Sequence, residues 1–113
     1  GRTAAGPSFE FGAVYAFPNP AGPGKSPTLH VEAGSADRLE IRIYDISGEP
    51  VYSAEVYGPA PAVDDGSGRG ALAAFEHTWD ASGAGSGVYL FTATAHKSGV
   101  GNIRKMGKLA IIK

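Results

Sequence analysis

The sequence predicts an all-β domain, an antiparallel sandwich of about seven short strands. Three observations carry that expectation. The 17 glycines and 8 prolines are spread along the whole chain, so no stretch reads as a clean amphipathic helix. Apolar residues instead recur at every second position in short runs, the spacing that turns one face of a strand toward a core. Each run ends in Gly, Pro, Asn, Asp or Ser, the residues that turns require. A chain of 113 residues is one domain, able to bury roughly 60–70% of its unfolded surface around a single core.

The first predicted strand covers Phe9–Phe17 and stops at Pro18-Asn19-Pro20. Each proline lacks an N–H and holds the residue before it extended, which cuts the ladder and fixes the direction in which the chain leaves. Asn19 is placed to hydrogen-bond nearby backbone and pin that exit. After the Gly/Pro-rich link Ala21–Pro27, the strand Thr28–Ala33 sets Leu29 and Val31 on one face and His30 and Glu32 on the other. Arg38–Ile46 alternates most clearly, with Leu39, Ile41 and Ile43 inward and Glu40 and Arg42 toward solvent. Asp45–Glu49 is a tight hairpin turn in which Gly48 supplies the positive φ, and Val51–Tyr57 returns antiparallel.

Gly58–Gly70 shows no periodicity and reads as a long loop. Ala71–Ala74 is the best helical candidate, yet it runs straight into the alternating Phe75–Trp79, so Leu72–Trp79 is read as the next strand. Asp80–Ser86 is a turn. Gly87–His96 puts Tyr89, Phe91, Ala93 and Ala95 on one face and Val88, Leu90, Thr92 and Thr94 on the other. Ile103–Lys113 closes the chain with Leu109 and Ile111 buried.

The bulk properties exclude several functions. A net charge of -1 and a pI near 6.3 lack the basic excess of a nucleic-acid-binding surface. No run of about 18 apolar residues is present to span a membrane. The absence of cysteine rules out disulfides, thiolate-bound zinc and thiol catalysis. The chain opens on Gly1-Arg2-Thr3, with neither Met nor a leader, which predicts a piece of a longer product.

Candidate chemistry is sparse. His30, His77 and His96 lie on different strands with no serine or carboxylate at a recognisable spacing, so neither a zinc signature nor a nucleophile elbow is formed. The expectation is no catalysis and no cofactor. His30 and His96 are expected to face solvent. His77 shares a face with Phe75 and Trp79 and reads as a hydrogen-bonded histidine at the core edge. Asp64-Asp65-Gly66-Ser67 is a cation candidate, but adjacent carboxylates point apart and no bidentate Glu stands at the right distance, which favours a solvated loop. Gly83–Gly87 is followed by a strand rather than a helix, so it is a turn and not a phosphate cradle. Tyr44, Tyr52, Tyr57 and Trp79 would make an aromatic platform for sugars only if exposed together, and Trp79, in register with Phe75, reads as a core tryptophan. The basic C-terminal strand is either an edge guarded by lysines or a strand read by another protein.

Several motifs then fall in order. Pro18-Asn19-Pro20 after an apolar strand comes first. Leu39–Val51 (LEIRIYDISGEPV), Trp79-Asp80, Ser86–Leu90 (SGVYL) and the closing Gly107–Lys113 (GKLAIIK) follow. Together they resemble the type A C-terminal sorting domain of the type IX secretion system and the similar Ig-like domain of flagellar hook-capping proteins. The resemblance covers residues 14–113, leaving residues 1–13 as linker or the start of the first strand. It implies an Ig-like sandwich at the C-terminus of a larger exported bacterial protein. That cargo passes through the periplasm to the outer cell surface or beyond, addressed by secretion machinery that reads the domain. Matching positions are Pro18, Asn19 and Pro20; Tyr44, Asp45 and Gly48; Trp79; Gly87 and Tyr89; and Lys105, Lys108 and Lys113, whose basic strand is implied to carry recognition. The Gly58–Gly70 loop is longer than that family's usual connection, and the closing motif also resembles domains with a less defined route. The alternatives are a structural Ig-like assembly module of an extracellular protein or appendage, and a carbohydrate-binding accessory domain.

Overall fold

A computed structural model describes residues 9–113; the first eight residues of the expected linker lie outside the described residues. Among the described residues every regular element is a strand. In order these are β1 (Val14–Phe17), β2 (Thr28–Val31), β3 (Arg38–Tyr44), β4 (Pro50–Tyr57), β5 (Ala62–Asp64), β6 (Ala71–Ala73), β7 (Phe75–Thr78), β8 (Gly87–Lys97) and β9 (Gly101–Ile111). The larger sheet runs β4-β3-β8-β9, the smaller β1-β2-β7, and β5 pairs only with β6. All strand pairs are antiparallel.

The period-two pattern decides which faces meet. Leu29, Val31 and Phe75 of the smaller sheet share one core with Leu39, Ile41, Ile43, Phe91, Ala93, Ala95, Leu109 and Ile111 of the larger. Trp79, just past β7, is 4% exposed and meets Tyr89 edge-on with ring centroids 5.3 Å apart. The expected core tryptophan is therefore in place.

Both open sides between the sheets are closed by polar contacts. On one side Tyr52 of β4 hydrogen-bonds His77 Nε2 of β7 at 2.6 Å, so His77 is the bonded core-edge residue expected. On the other, Asn19 Nδ2 donates to the Lys108 carbonyl at 3.2 Å and its Oδ1 accepts from the Ala110 N–H at 3.0 Å. The Ala21 N–H then donates to the Ala110 carbonyl, and the Ile112 N–H to the Ala21 carbonyl, both at 2.8 Å. Asn19 does pin the exit of β1, but on the last strand rather than on nearby backbone. The prolines end pairing within the smaller sheet, and the chain crosses to make a short parallel bridge with the edge of the larger one. Replacing Asn19 by alanine removes both side-chain bonds and is expected to cost about 1 kcal/mol. Thermal melting checks this, and an unchanged midpoint contradicts it.

Three expectations need correction. β1 begins at Val14, not Phe9, although Phe9 and Phe11 still pack against the core. The Gly58–Gly70 stretch is not structureless, since it contains β5. Ala71–Ala73 is extended, in keeping with the strand read through the helical candidate. The Leu72–Trp79 run is not one strand, because it breaks at Ala74, whose buried N–H donates to the Pro61 carbonyl at 3.0 Å. One alternating run thereby serves two partners, β5 before the break and β2 after it.

Candidate functional site

The candidate positions fall into three places, two expected from the sequence and one not. At the β3–β4 turn, Asp45 Oδ1 accepts from the Ser47 N–H, the Ser47 hydroxyl and the Glu49 N–H at 2.9, 2.6 and 3.0 Å. Those bonds, the Ser47 hydroxyl first, hold its carboxyl below the usual range. Gly48 closes the turn at φ +89°, the conformation expected of it. Tyr44 lies half-buried on the outward face of the larger sheet. Gly87 opens β8 at φ +156°, and the Tyr89 hydroxyl donates to the Gly85 carbonyl at 2.7 Å. Pro18 and Pro20 flank Asn19 at the surface. These residues shape turns and crossings.

The terminal strand is the second place. From Gly101 to Lys113 the chain has four basic residues and no acidic one. Register with β8 puts Ile103, Lys105, Gly107, Leu109 and Ile111 on the core-side face and Arg104, Met106 and Lys108 on the outward one. Lys105, Lys108 and Lys113 therefore do not form one patch. Lys105 stands exposed on the opposite face from Lys108. Lys113 Nζ is tied to the Ala81 and Ser82 carbonyls at 2.8 and 3.2 Å. The outward patch is Arg104, Met106 and Lys108, with Met106 64% exposed. Sequence reasoning missed Arg104 and Met106 as members, although their spacing of two from Lys108 carried the signal.

β9 is also an edge strand. The Lys108 carbonyl and both backbone groups of Ala110 point away from β8, as their bonds to Asn19 and Ala21 demonstrate. Antiparallel alternation then points the N–H and C=O of Met106 and Arg104 out of the same edge. There they meet no backbone partner among the described residues.

The third place was hidden in the sequence. His30, expected at the surface, is 0% exposed, and Glu32 beside it is 6% exposed. The residues between β5 and β6 fold over the outer face of the smaller sheet and cover them. Arg69 grips Glu32 through its two terminal guanidinium nitrogens at 2.9 and 2.7 Å and also reaches Asp65 at 3.2 Å. Tyr15 donates to Asp65 at 2.9 Å while its ring stacks on His30 at 4.6 Å. His30 bonds Glu76 through Nδ1 at 2.7 Å and Glu32 through Nε2 at 2.8 Å. A neutral imidazole has one N–H, so two carboxylate partners require the imidazolium.

Burial alone would lower the His30 pKa, but the bonds to Glu76 and Glu32 outweigh it and the net shift is upward. The Arg69 guanidinium, aided by His30 and the Ala13 N–H and opposed by burial, holds Glu32 down at about 2. The Ser67 contacts and the Tyr15 hydroxyl lower Asp65. Burial and Asp65 push the Tyr15 hydroxyl up to about 12. Ligand atoms of His30, Glu32 and Asp65 lie within 4.8 Å of one another, yet each is already engaged, and Arg69 supplies the cation that the carboxylates need.

The remaining candidates resolve simply. Asp64 Oδ1 accepts from the Gly66 N–H and Asp65 Oδ1 from the Ser67 N–H, both at 3.0 Å, so these carboxylates serve the local turn. His96 is half-buried rather than open to solvent, and its Nδ1 bonds Asn102 Oδ1. Tyr57 is 69% exposed at one end of β4, while Trp79 is buried. Tyr44 and Tyr52 sit on opposite faces of the larger sheet, so the four aromatics make no shared platform. No helix among the described residues is long and apolar enough to cross a membrane. No family model matches the chain, and a search of curated proteins finds no match.

Proposed function

We propose that this chain is a non-catalytic, Ig-like C-terminal domain of an exported bacterial protein, serving as its secretion, sorting or cell-surface attachment signal. The machinery or surface partner reads β9. One observation supports this reading above the others. The terminal strand is long, carries only basic charges and is exposed at its edge, while Asn19, Ala21 and Ser86 tie down the last residues of the chain. Lysines also guard an edge strand, but a self-contained domain normally shortens, bulges or covers such an edge as well. Here the outward residues keep an apolar Met106 between two cations.

The test is a fusion of the whole chain, residues 1–113, to the C-terminus of a reporter in the host of origin. The reporter carrying the domain is expected at the cell surface or in the medium, and the reporter without it is expected to stay inside the cell envelope. Equal export of both overturns the proposal and leaves the assembly-module reading in its place.

A further inference from the structure

The exposed half of the β9 edge has a definite chemistry, set by hydrogen-bond direction, charge and shape. We infer that it takes an extended acidic segment of another protein as an added strand, lying along Asn102–Lys108. This rests on the reading of β9 as the recognised element and names what it recognises.

Strand addition at this edge is already under way within the chain. Asn19 and Ala21 satisfy the edge groups of Lys108, Ala110 and Ile112, and the same row continues through Met106 and Arg104 with no backbone partner among the described residues. An incoming strand therefore extends an existing seam instead of opening a new one. Main-chain bonds supply affinity, and side chains on alternate faces supply choice.

Those side chains specify the occupant. On the outward face Arg104 and Lys108 flank Met106, so the fitting strand carries acidic residues at two alternate positions with an apolar one between them. On the other face it meets Lys105, which favours a carboxylate, and Gly107, which the Phe91 ring already covers. Opposite charges directly across a strand pair attract, and like charges repel. A second copy of β9 is the wrong occupant, because pairing β9 with itself sets Arg104, Lys105 and Lys108 against the same cations.

The probe is a synthetic peptide containing Glu-Val-Val-Glu-Glu, which in antiparallel pairing sets glutamates against Lys108, Lys105 and Arg104 and a valine against Met106, titrated against the whole chain by calorimetry. It is compared with a lysine-for-glutamate version and with one N-methylated at alternate residues. The acidic peptide is expected to bind at least about tenfold more tightly than either control, because the first control reverses the charges and the second removes the ladder donors. Met106→Pro is expected to weaken binding by a similar factor. Its N–H points away from β8, a position where an edge strand tolerates proline. The double variant Arg104→Glu/Lys108→Glu, which leaves the ladder intact, is expected to invert the preference between acidic and basic peptides.

Equal binding of the acidic and N-methylated peptides overturns the inference, as does undiminished binding to the double variant. Failure of peptide binding with domain-dependent reporter export sinks this inference and leaves the sorting reading standing. Peptide binding with domain-independent export does the reverse.

Discussion

Glu32→Ala is expected to destabilise the fold by about 3 kcal/mol, the scale of removing one partner from a buried ion pair. The substitution leaves the His30 imidazolium, fully buried, with Glu76 alone, and strips Arg69 of its bidentate partner. The Ala13 N–H also loses its 3.1 Å bond to Glu32 Oε1. Urea unfolding near neutral pH measures the loss, and a change below about 1 kcal/mol contradicts the account.

Glu32 is depressed to about 2 from the ordinary 4.5, so its contribution is present above 4.5 and disappears as pH falls through about 2. His30 is raised above 6.5, so its contribution is complete below 6.5 and fades as pH climbs through the raised value. The cluster therefore stabilises most between those limits, and Glu32→Ala flattens the acid side of the profile.

Gly107→Ala is expected to cost about 2 kcal/mol through overpacking. Gly107 faces Phe91 across the β8–β9 pair, and a Cβ at this position would stand 2.6 Å from Phe91 Cε2. Phe91 is 1% exposed, so its ring has no room to retreat. The glycine is demanded by that ring lying over the strand rather than by its own backbone angles. Melting should fall by roughly 10 °C for a domain of this size. The combination of Gly107→Ala with Phe91→Leu should recover part of the loss, as touching residues couple. Strict additivity in that cycle contradicts the packing explanation.

Much of the fold was legible. Leu39, Ile41 and Ile43 on β3, and Tyr89, Phe91, Ala93 and Ala95 on β8, announced the core face because period two has one physical reading when one face is dry. The same rule failed for His30 and Glu32. Alternation separates two faces but does not say whether the polar one meets water or another layer. Here the layer was the Gly58–Gly70 segment, whose glycines and prolines erased any periodic signal. Phe75–Trp79 joined Leu72 without a break in pattern, so the change of partner at Ala74 left no mark.

Asn19 shows the other limit. Its local chemistry was readable, but its partners lie 89 and 91 residues away, and only the closure of the sandwich side brings them near. At the candidate site the basic character of β9 was plain in the sequence. The division of Lys105, Lys108 and Lys113 among separate environments needed the register with β8 and the anchoring of Lys113 on the Asp80–Ser86 turn.

The most direct test of the central claim is export of the reporter fusion carrying Arg104→Glu/Lys108→Glu. Both residues lie on the outward face, and neither has an ion-pair partner among the described residues. The exchange should therefore leave melting nearly unchanged, while surface or medium reporter falls at least about tenfold if the basic edge strand is what the partner reads. Undiminished export by the folded double variant would contradict the account.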